Sequence, residues 1–377
     1  MNFSTLGALC NKTSNLLIIG LSVLPLWSGG RELMEESATL SIEELPGAAY
    51  RVSIIDPIQP SQSLEYELIP KGEAKNENTA TRTIPIPAEK IVSLSTTYIG
   101  PLNAIGALEQ VIAVDDVDYV FSERIGEMHA NGEVIEVGAG NNLDLESVIA
   151  AKPDLVILTR INSGQEALET RLRDAGIPVL VTASWKETEP LGRSEWIKLF
   201  GIITGHREEA FALFEETQER YHELEEIVSA ASPDQPKVLL SAPFGGIWYM
   251  PGGASFTAAF LEDAGAQSLW KDNSSTGSFP IDFESALAKG FTADFWLNPG
   301  RYATLNELAT SDERFRSLPV FQAGEVYNRN LRVRPSGAND FWESGSVYPD
   351  RVLADLIAIF HPELLPGHEF TYYQRLP

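Results

Sequence analysis

The chain has 377 residues, enough for two domains that each bury a core of their own. Its 53 acidic residues outnumber its 28 basic ones, and the formal net charge of −25 argues against nucleic acid and anionic membrane surfaces as partners. The single cysteine, Cys10, excludes an intramolecular disulfide and a cysteine-based metal site.

Residues 1–30 have the pattern of a secretory signal peptide. Lys12 is followed by an apolar run from Leu16 to Trp27 and then by small residues. This run is too short to span a membrane, which favours a signal, although a buried N-terminal helix would show the same pattern. Cys10 precedes the run, so a lipid anchor is not predicted. We expect an exported protein.

Residues 31–87 form an N-terminal extension with alternating apolar and polar positions. Tyr50–Ile55 and Leu64–Ile69 alternate in the way of half-buried strands. A polar loop, Lys71–Thr81, follows them. The pattern predicts a small hairpin or edge ribbon that packs on the next domain.

Residues 88–204 alternate short apolar runs with helical segments. The predicted strands are 90–94, 111–114, 155–158 and 177–181, and the predicted helices are 102–108, 142–151 and 166–175. The hydroxyl groups of Ser95, Thr96 and Thr97 follow the first strand, where they can cap a helix. This alternation predicts a parallel sheet with helices on both faces.

Residues 205–232 predict one long linker helix. Phe211, Phe214, Tyr221, Leu224 and Val228 recur at steps of three, four or seven residues, with polar residues on the other faces. The segment contains no internal Gly or Pro before it ends at a Ser-Pro-Asp turn. Its length of about 40 Å would span a domain.

Residues 233–377 repeat the alternation of the first lobe. The predicted strands are 237–240, 247–250, 293–297 and 325–327, and the predicted helices are 255–264, 283–289, 305–308, 312–318 and 347–360. The sequence thus predicts an α/β fold of two open, mostly parallel-sheet Rossmann-like lobes joined by one long α-helix.

With these elements placed, the chain resembles the substrate-binding proteins of ABC importers for ferric siderophores, haem and cobalamin. The resemblance runs from Glu89 to Leu365 and is carried by the order and spacing of several segments. These are IVSLSTTYIGPLNAIGAL, EVGAGNNLDLESVIAAKPDLVIL, LGRSEWIKLFGIITG, MPGGASFTAAFLEDAGA, ADFWLNPG, FQAGEVYNRN and WESGSVYPDRVLADLIAIFHPELLP. It implies a ligand cleft between the lobes, a linker helix that limits lobe closure, and a monomer in the periplasm or at the outer face of the cell membrane. The implied partners are an ABC permease and its ATPase.

Ligands of open α/β sheets bind beyond the carboxyl ends of the strands, so we expect the binding residues in those loops. Aromatic rings there can cover a large chelate, and arginine can hold its carboxylate or phenolate groups. The candidate ligand-binding residues are Thr97, Tyr98, Trp185, Trp248, Arg301, Tyr302, Arg332, Arg334 and Trp342. Core packing is the alternative for Trp248 and Trp342, and pairing with surface carboxylates is the alternative for Arg332 and Arg334.

Glu166 and Glu284 begin corresponding helices of the two lobes. In the resembling proteins one acidic residue on each lobe docks onto arginines of the permease, which makes these two the permease-docking candidates. A glutamate at the start of a helix is otherwise simply a favourable partner of the helix dipole.

Other chemistries find little support in the sequence. The five histidines are scattered, and only His129 falls near the expected cleft, so neither a metal site nor a resident cofactor is predicted. No GxSxG, P-loop or GxGxxG motif is present, and no catalytic residue is assigned. We therefore predict a binding protein that captures an iron chelate for import. The alternatives are a cobalamin or corrinoid binder of the same fold, a two-lobed enzyme or metal-cluster protein, and a sensor-like binding protein.

Overall fold

The computed structural model describes residues 30–72 and 82–377. The predicted signal peptide of residues 1–30 lies outside the described residues apart from Gly30, and so does most of the predicted polar loop 71–81. Within the described ranges, no helix is both long enough and apolar enough to cross a membrane.

The N-terminal extension is a five-stranded sheet, larger than the predicted ribbon. Its strands run in sequence order, antiparallel except for the last pair. They are β1 (Arg31–Glu32), β2 (Leu40–Leu45), β3 (Ala49–Ile55), β4 (Ser63–Pro70) and β5 (Arg82–Ile86). Buried residues alternate along β3 and β4, as predicted, and this apolar face belongs to the same core as the first lobe.

Two buried carboxylates of the first lobe hold the loop between β1 and β2. Glu195 accepts hydrogen bonds from the backbone N–H groups of Glu35, Glu36 and Ser37 at 2.8–2.9 Å. Glu187 accepts from the next backbone N–H groups along this loop, and Lys198 lies 2.7 Å from Glu195. Because buried charges are stable only when they are paired or hydrogen-bonded, this loop and the first lobe form one structural unit.

The first lobe contains a parallel sheet in the order β10-β9-β6-β7-β8. Its strands are β6 (Ile91–Ser93), β7 (Val111–Val114), β8 (Ile135–Glu136), β9 (Leu155–Thr159) and β10 (Val179–Thr182). Its helices are α1 (Ile99–Ala104), α2 (Glu123–Ala130), α3 (Leu145–Ala151), α4 (Ser163–Asp174), α5 (Pro190–Glu195) and α6 (Ile197–Thr204). The sequence did not predict α2, β8, α5 or α6; α2 has few apolar positions and β8 has only two residues.

The linker is a single helix, α7 (Arg207–Ala231), of 25 residues. It begins after Gly205, whose φ of 82° ends α6. In its first half, Ala210 and Phe214 are part of the core of the first lobe. In its second half, Tyr221 and Val228 are part of the core of the second lobe. The buried residues that recur along one face of α7 therefore pack first into the core of the first lobe and then into that of the second.

The second lobe contains a sheet in the order β13-β11-β15-β16-β17, parallel except for β17, and a separate antiparallel pair of β12 and β14. The strands are β11 (Lys237–Leu240), β12 (Trp248–Pro251), β13 (Gln267–Ser268), β14 (Ser278–Ile281), β15 (Phe295–Leu297), β16 (Val326–Asn328) and β17 (Gln374–Arg375). The helices are α8 (Phe256–Asp263), α9 (Phe283–Gly290), α10 (Leu305–Ser311), α11 (Pro319–Gln322), α12 (Asp340–Glu343) and α13 (Pro349–Phe360). The predicted fold class of two mostly parallel lobes joined by one helix is confirmed.

A second connection between the lobes is a segment that we call the strap, residues 332–347. Glu343 of the strap accepts hydrogen bonds from the backbone N–H groups of Phe121 and Ser122 in the first lobe. Ser194 donates a hydrogen bond of 2.9 Å to the carbonyl of Val347, whose side chain lies in the first-lobe core. The lobes are thus joined at the linker helix and again at the strap.

Candidate ligand-binding site

An open cleft of about 500 Å³ lies between the two lobes, within the size range of small-molecule sites. The first lobe contributes the loops beyond the carboxyl ends of β6, β9 and β10 together with α5 and α6. The second lobe contributes the end of β12, the start of α8, the approach to β14, the residue after β16, and part of the strap. The cleft therefore lies where the architecture predicts a ligand, at the edges from which both parallel sheets project their loops.

Aromatic rings from both lobes line the cleft. Trp185 of the first lobe is 39% exposed, and Trp342 of the strap is 48% exposed. Phe256 and Phe341 of the second lobe lie beside them on the cleft wall. Rings that are half open to solvent in a concave site supply flat apolar surface for a large planar or multidentate ligand.

Arg193 brings a positive charge into the cleft from α5. Its guanidinium donates to the carbonyls of Ser184 and Trp185 at 3.1 and 3.2 Å, and its central carbon lies 3.7 Å from the ring centroid of Phe256. Burial lowers the pKa of Arg193 to about 10, partly offset by the negative charge of Glu187. Within the residues that the structure describes, this guanidinium forms no ion pair with a carboxylate.

Arg329 brings a second positive charge from the opposite lobe. It directly follows β16, and its guanidinium carbon lies 4.5 Å from the ring centroid of Phe341 and 4.3 Å from that of Trp342. Burial lowers the pKa of Arg329, and its charge in turn contributes to the lowered pKa of Arg193. Arg329 also lacks a carboxylate partner in the described part of the chain. Two cations thus line one cleft, and neither forms an ion pair with a carboxylate of the described residues.

Hydroxyl groups line the first-lobe side of the cleft. Ser95 caps the turn after β6, as predicted, and exchanges a hydrogen bond of 2.9 Å with Thr97. Tyr98 is buried, and its hydroxyl bonds to those of Thr159 and Thr182. Burial raises the pKa of Tyr98 to about 12, so its hydroxyl stays protonated. These groups can donate to, or accept from, a polar ligand in the cleft.

Four of the nine predicted ligand-binding residues line the cleft: Thr97, Tyr98, Trp185 and Trp342. Arg301 and Tyr302 do not. They follow β15 in a loop that turns away from the cleft, where Arg301 is exposed and Tyr302 packs against the second-lobe core.

Trp248 lies in the core, the alternative that its sequence pattern left open. It is 0% exposed, its indole N–H donates to the carbonyl of Leu240 at 3.0 Å, and its ring packs on Trp296, Phe283 and Phe315. As the first residue of β12, it points inward while the next residue, Tyr249, points to solvent.

Arg332 and Arg334 pair with carboxylates, which was the alternative interpretation for both. Arg332 lies 3.1 Å from Asp340 within the strap. Arg334 lies 3.6 Å from Glu123 of the first lobe, so it reinforces the contact between the strap and that lobe. Neither arginine lines the cleft.

Glu166 and Glu284 lie in the first turns of α4 and α9, and both are exposed. Glu284 already has a partner, because Arg314 lies 2.6 Å from its carboxylate. Their permease-docking role stays a prediction. Among the described residues, no group of three or more His, Cys, Asp or Glu side chains is placed to hold a metal ion.

The sequence interpretation missed Arg193 and Arg329 as site residues. Arg329 was within its reach, because it lies two residues after the predicted strand 325–327, at the edge where ligands bind. Arg193 was not, since it lies inside a helix and reaches the cleft only through the tertiary packing of α5.

The model of the family described as Periplasmic binding protein matches residues 91–329. The chain belongs to this family. The match covers the first-lobe sheet, the linker helix and the second-lobe sheet apart from β17, and it identifies the function as binding rather than catalysis. The two-lobed enzyme is thereby set aside.

Two relatives of the chain have low sequence identity to it. An uncharacterized lipoprotein of Methanocaldococcus jannaschii is 24% identical over 304 residues, which is 78% of this chain and 70% of that protein. A cobalamin-binding protein of Halobacterium salinarum is 25% identical over 211 residues, 56% of this chain and 54% of that protein.

Solved structures agree on the fold. A periplasmic heme binding protein from Pseudomonas aeruginosa superposes with a TM-score of 0.57 at 20% identity, covering 77% of this chain and 98% of that one. A structure described as an ABC-type Fe3+-hydroxamate transport system from Saccharomonospora viridis gives a TM-score of 0.56 at 18% identity, covering 82% of this chain and 98% of that one. At these identities the likeness shows the fold alone.

Proposed function

We propose that the protein is the substrate-binding component of an ABC importer and that it captures an iron chelate, a ferric siderophore or a haem-like ligand, in the cleft between its lobes. It would deliver this ligand to a membrane permease driven by an ATPase. The observation that carries the proposal is the pair of arginines, Arg193 and Arg329, which line the cleft from opposite lobes and form no ion pair with a carboxylate of the described residues.

The absence of a carboxylate partner for these two arginines is unexpected in so acidic a chain. In a protein of net charge −25, carboxylates are abundant, yet none pairs with these two guanidinium groups in the described ranges. Burial lowers the pKa of both arginines, because each guanidinium loses part of its hydration. A ligand that carries carboxylate, catecholate or hydroxamate oxygens would compensate both charges, because guanidinium binds such oxygens in a bidentate manner.

The aromatic wall supports a large ligand. Trp185, Phe256, Phe341 and Trp342 contribute apolar surface to a cleft of about 500 Å³. Such surface suits a tetrapyrrole or the hydrocarbon framework of a siderophore better than a small solute or a bare metal ion. The haem-binding and Fe3+-hydroxamate structures that share this fold point to the same ligand classes.

Cobalamin is the second candidate, favoured by the cobalamin-binding relative from Halobacterium salinarum. The corrin periphery carries mainly neutral amides, so it would leave the two arginine charges less well compensated. Substitution of the two arginines should therefore weaken the binding of an iron chelate more than the binding of cobalamin.

An exported monomer at the periplasmic or outer face of the cell membrane is part of the proposal. It is supported by membership in the periplasmic binding protein family and by the lipoproteins among the relatives. In this arrangement the iron or cobalt belongs to the transported ligand, and the protein needs no cofactor of its own.

The test is a fluorescence titration, since Trp185 and Trp342 lie in the cleft. The purified protein is titrated with a ferric siderophore, haemin and cobalamin, and we expect quenching by one class of iron chelate. Arg193→Gln and Arg329→Gln should each weaken its binding by about tenfold or more, the effect of losing a charge-assisted hydrogen bond. The exposed Arg316→Gln is the matched control. Absence of quenching by every ligand would refute the proposed function, and quenching by cobalamin alone would favour the second candidate.

A further inference from the structure

A second cavity, of about 330 Å³, lies within the first lobe and adjoins the cleft. The two share wall residues Ser95, Thr159 and Ile161. The cavity extends from there past the carboxyl ends of β6, β7 and β9 to the loop of residues 138–140. A ligand in the cleft could therefore extend an arm into it.

The cavity lies at the topological switch point of the first-lobe sheet. From β6 the chain continues to β7 and β8 on one side, and then crosses to β9 and β10 on the other. The loops after β6 and β9 consequently diverge and leave a crevice between them, which is where open α/β sheets bind ligands.

Asp115 is the titratable side chain in the wall of this cavity. It directly follows β7, and its Oδ1 is buried without a hydrogen-bond partner in the described residues. The side-chain amide oxygens of the wall accept from nearby backbone groups, Asn162 from the N–H of Gly164 at 2.8 Å and Gln165 from those of Ile161 and Asn162. No described residue donates a hydrogen bond to the Oδ1 of Asp115, so this oxygen can accept one from an incoming donor.

The surroundings of Asp115 raise its pKa but leave the carboxyl mainly ionised at pH 7.5. Burial raises the pKa of Asp115 to about 6, its own backbone N–H and that of Asp116 oppose this rise, and the negative charges of Asp116 and Glu136 add to it. No cation is among the residues that line the cavity. A positively charged donor would therefore find a buried acceptor with no competing counter-ion.

We propose that this cavity is a subsite for an aliphatic ammonium group carried on an arm of the chelate, with Asp115 as its counter-ion. Leu143, Leu158 and Leu168 in the wall would cover the methylene chain of the arm. One carboxylate is too few for Ca²⁺ or Mg²⁺, which take six or more oxygen ligands, whereas an ammonium needs one counter-charge and has two further protons for neutral acceptors. This inference rests on the proposed function, because it assigns the cleft to the body of the chelate.

The test compares two chelates that differ only in the charge of the arm. Ferrioxamine B carries a free primary amine, and N-acetylferrioxamine B is its uncharged counterpart. By fluorescence titration at pH 7.5, we expect the wild-type protein to bind the amine about tenfold more tightly. Asp115→Asn should abolish this preference, while Asp118→Asn, an exposed change of the same charge in the same loop, should retain it. The preference should also shrink at pH 5, where the Asp115 carboxyl is protonated.

Equal affinity of the wild-type protein for both chelates would overturn the subsite and leave the proposed function intact. Persistence of the preference in Asp115→Asn would overturn it as well. If neither chelate binds, the hydroxamate form of the proposed function is refuted, and n-pentylamine alone decides the subsite. Its titration should shift the amide NMR signals of Gly140 and Gly164 in the wild-type protein but not in Asp115→Asn, and unshifted signals would exclude an amine site.

Discussion

The contact between the linker helix and the second lobe contains a buried carboxyl that should make stability depend on pH. Asp263 of α8 accepts a hydrogen bond from the hydroxyl of Tyr221 on α7. Burial is the main cause that raises the pKa of Asp263 to about 7, and the negative charges of Glu225, Glu189 and Glu262 add to it. The folded protein therefore keeps a proton that the unfolded chain has already released.

The sign and size of the effect follow from this difference in pKa. Between the ordinary value of 3.8 and the folded value of about 7, the folded state binds more protons, so the free energy of unfolding falls as pH rises through that window. The full difference corresponds to at most about 4 kcal/mol. Because part of the side chain contacts solvent, we expect an effect of about 1–2 kcal/mol.

Asp263→Asn should remove this dependence, because the amide has no proton to release and its oxygen can still accept from Tyr221. The free energy of unfolding, measured by urea denaturation with tryptophan fluorescence from pH 4.5 to 8.5, should favour the variant increasingly toward high pH. The exposed Asp234→Asn controls for the loss of one negative charge. A difference between wild type and Asp263→Asn that does not change with pH would refute the reasoning.

Three further predictions concern the contacts of the lobes with each other and with a permease. Proline in place of Glu216, in the middle of α7, should break the helix and cost about 3 kcal/mol, with weaker chelate binding by fluorescence titration; unchanged affinity would mean that α7 only tethers the lobes. Gly100→Ala should lower the free energy of unfolding by about 2–4 kcal/mol, because its Cβ would lie 1.8 Å from the carbonyl oxygen of Glu343; an unchanged urea midpoint would contradict this contact. Glu166→Lys and Glu284→Lys should reduce chelate uptake by a reconstituted importer without changing chelate affinity, and undiminished uptake would exclude both as docking residues.

The long elements of the fold could be predicted from the sequence because their signals are local. α7 repeats its apolar positions over 25 residues without an internal Gly or Pro, and the alternation of strands and helices fixed two parallel sheets. Short elements could not be predicted in this way. β8, β13 and β17 have two residues each, too few for any period to appear, and they exist because a neighbouring strand supplies their hydrogen bonds.

The candidate site was predictable in position but only partly in composition. Ligands of open α/β sheets bind beyond the carboxyl ends of the strands, and this generalisation located the loops that contain Thr97 and Trp185. It could not separate Trp248 from Trp342, because an aromatic residue near a strand end can face either the core or the cleft. For Arg332 and Arg334 the deciding fact was the presence of carboxylate partners in space, and for Arg193 and Arg329 it was the absence of such partners among the described residues.

The strap changes the role that the sequence assigned to the linker helix. A single helix between two lobes restricts their separation but leaves rotation about its axis open. The strap adds a second attachment, in which Glu343 binds backbone N–H groups at the start of α2 and Val347 lies in the first-lobe core. Two separated attachments oppose rotation as well as separation. Since Trp342 and Phe341 belong to the strap, the aromatic wall of the cleft is held against the first lobe before any ligand arrives. We therefore expect ligand binding to shift the lobes little, with affinity arising from a preformed cleft and its two arginines without ion pairs in the described residues, rather than from closure.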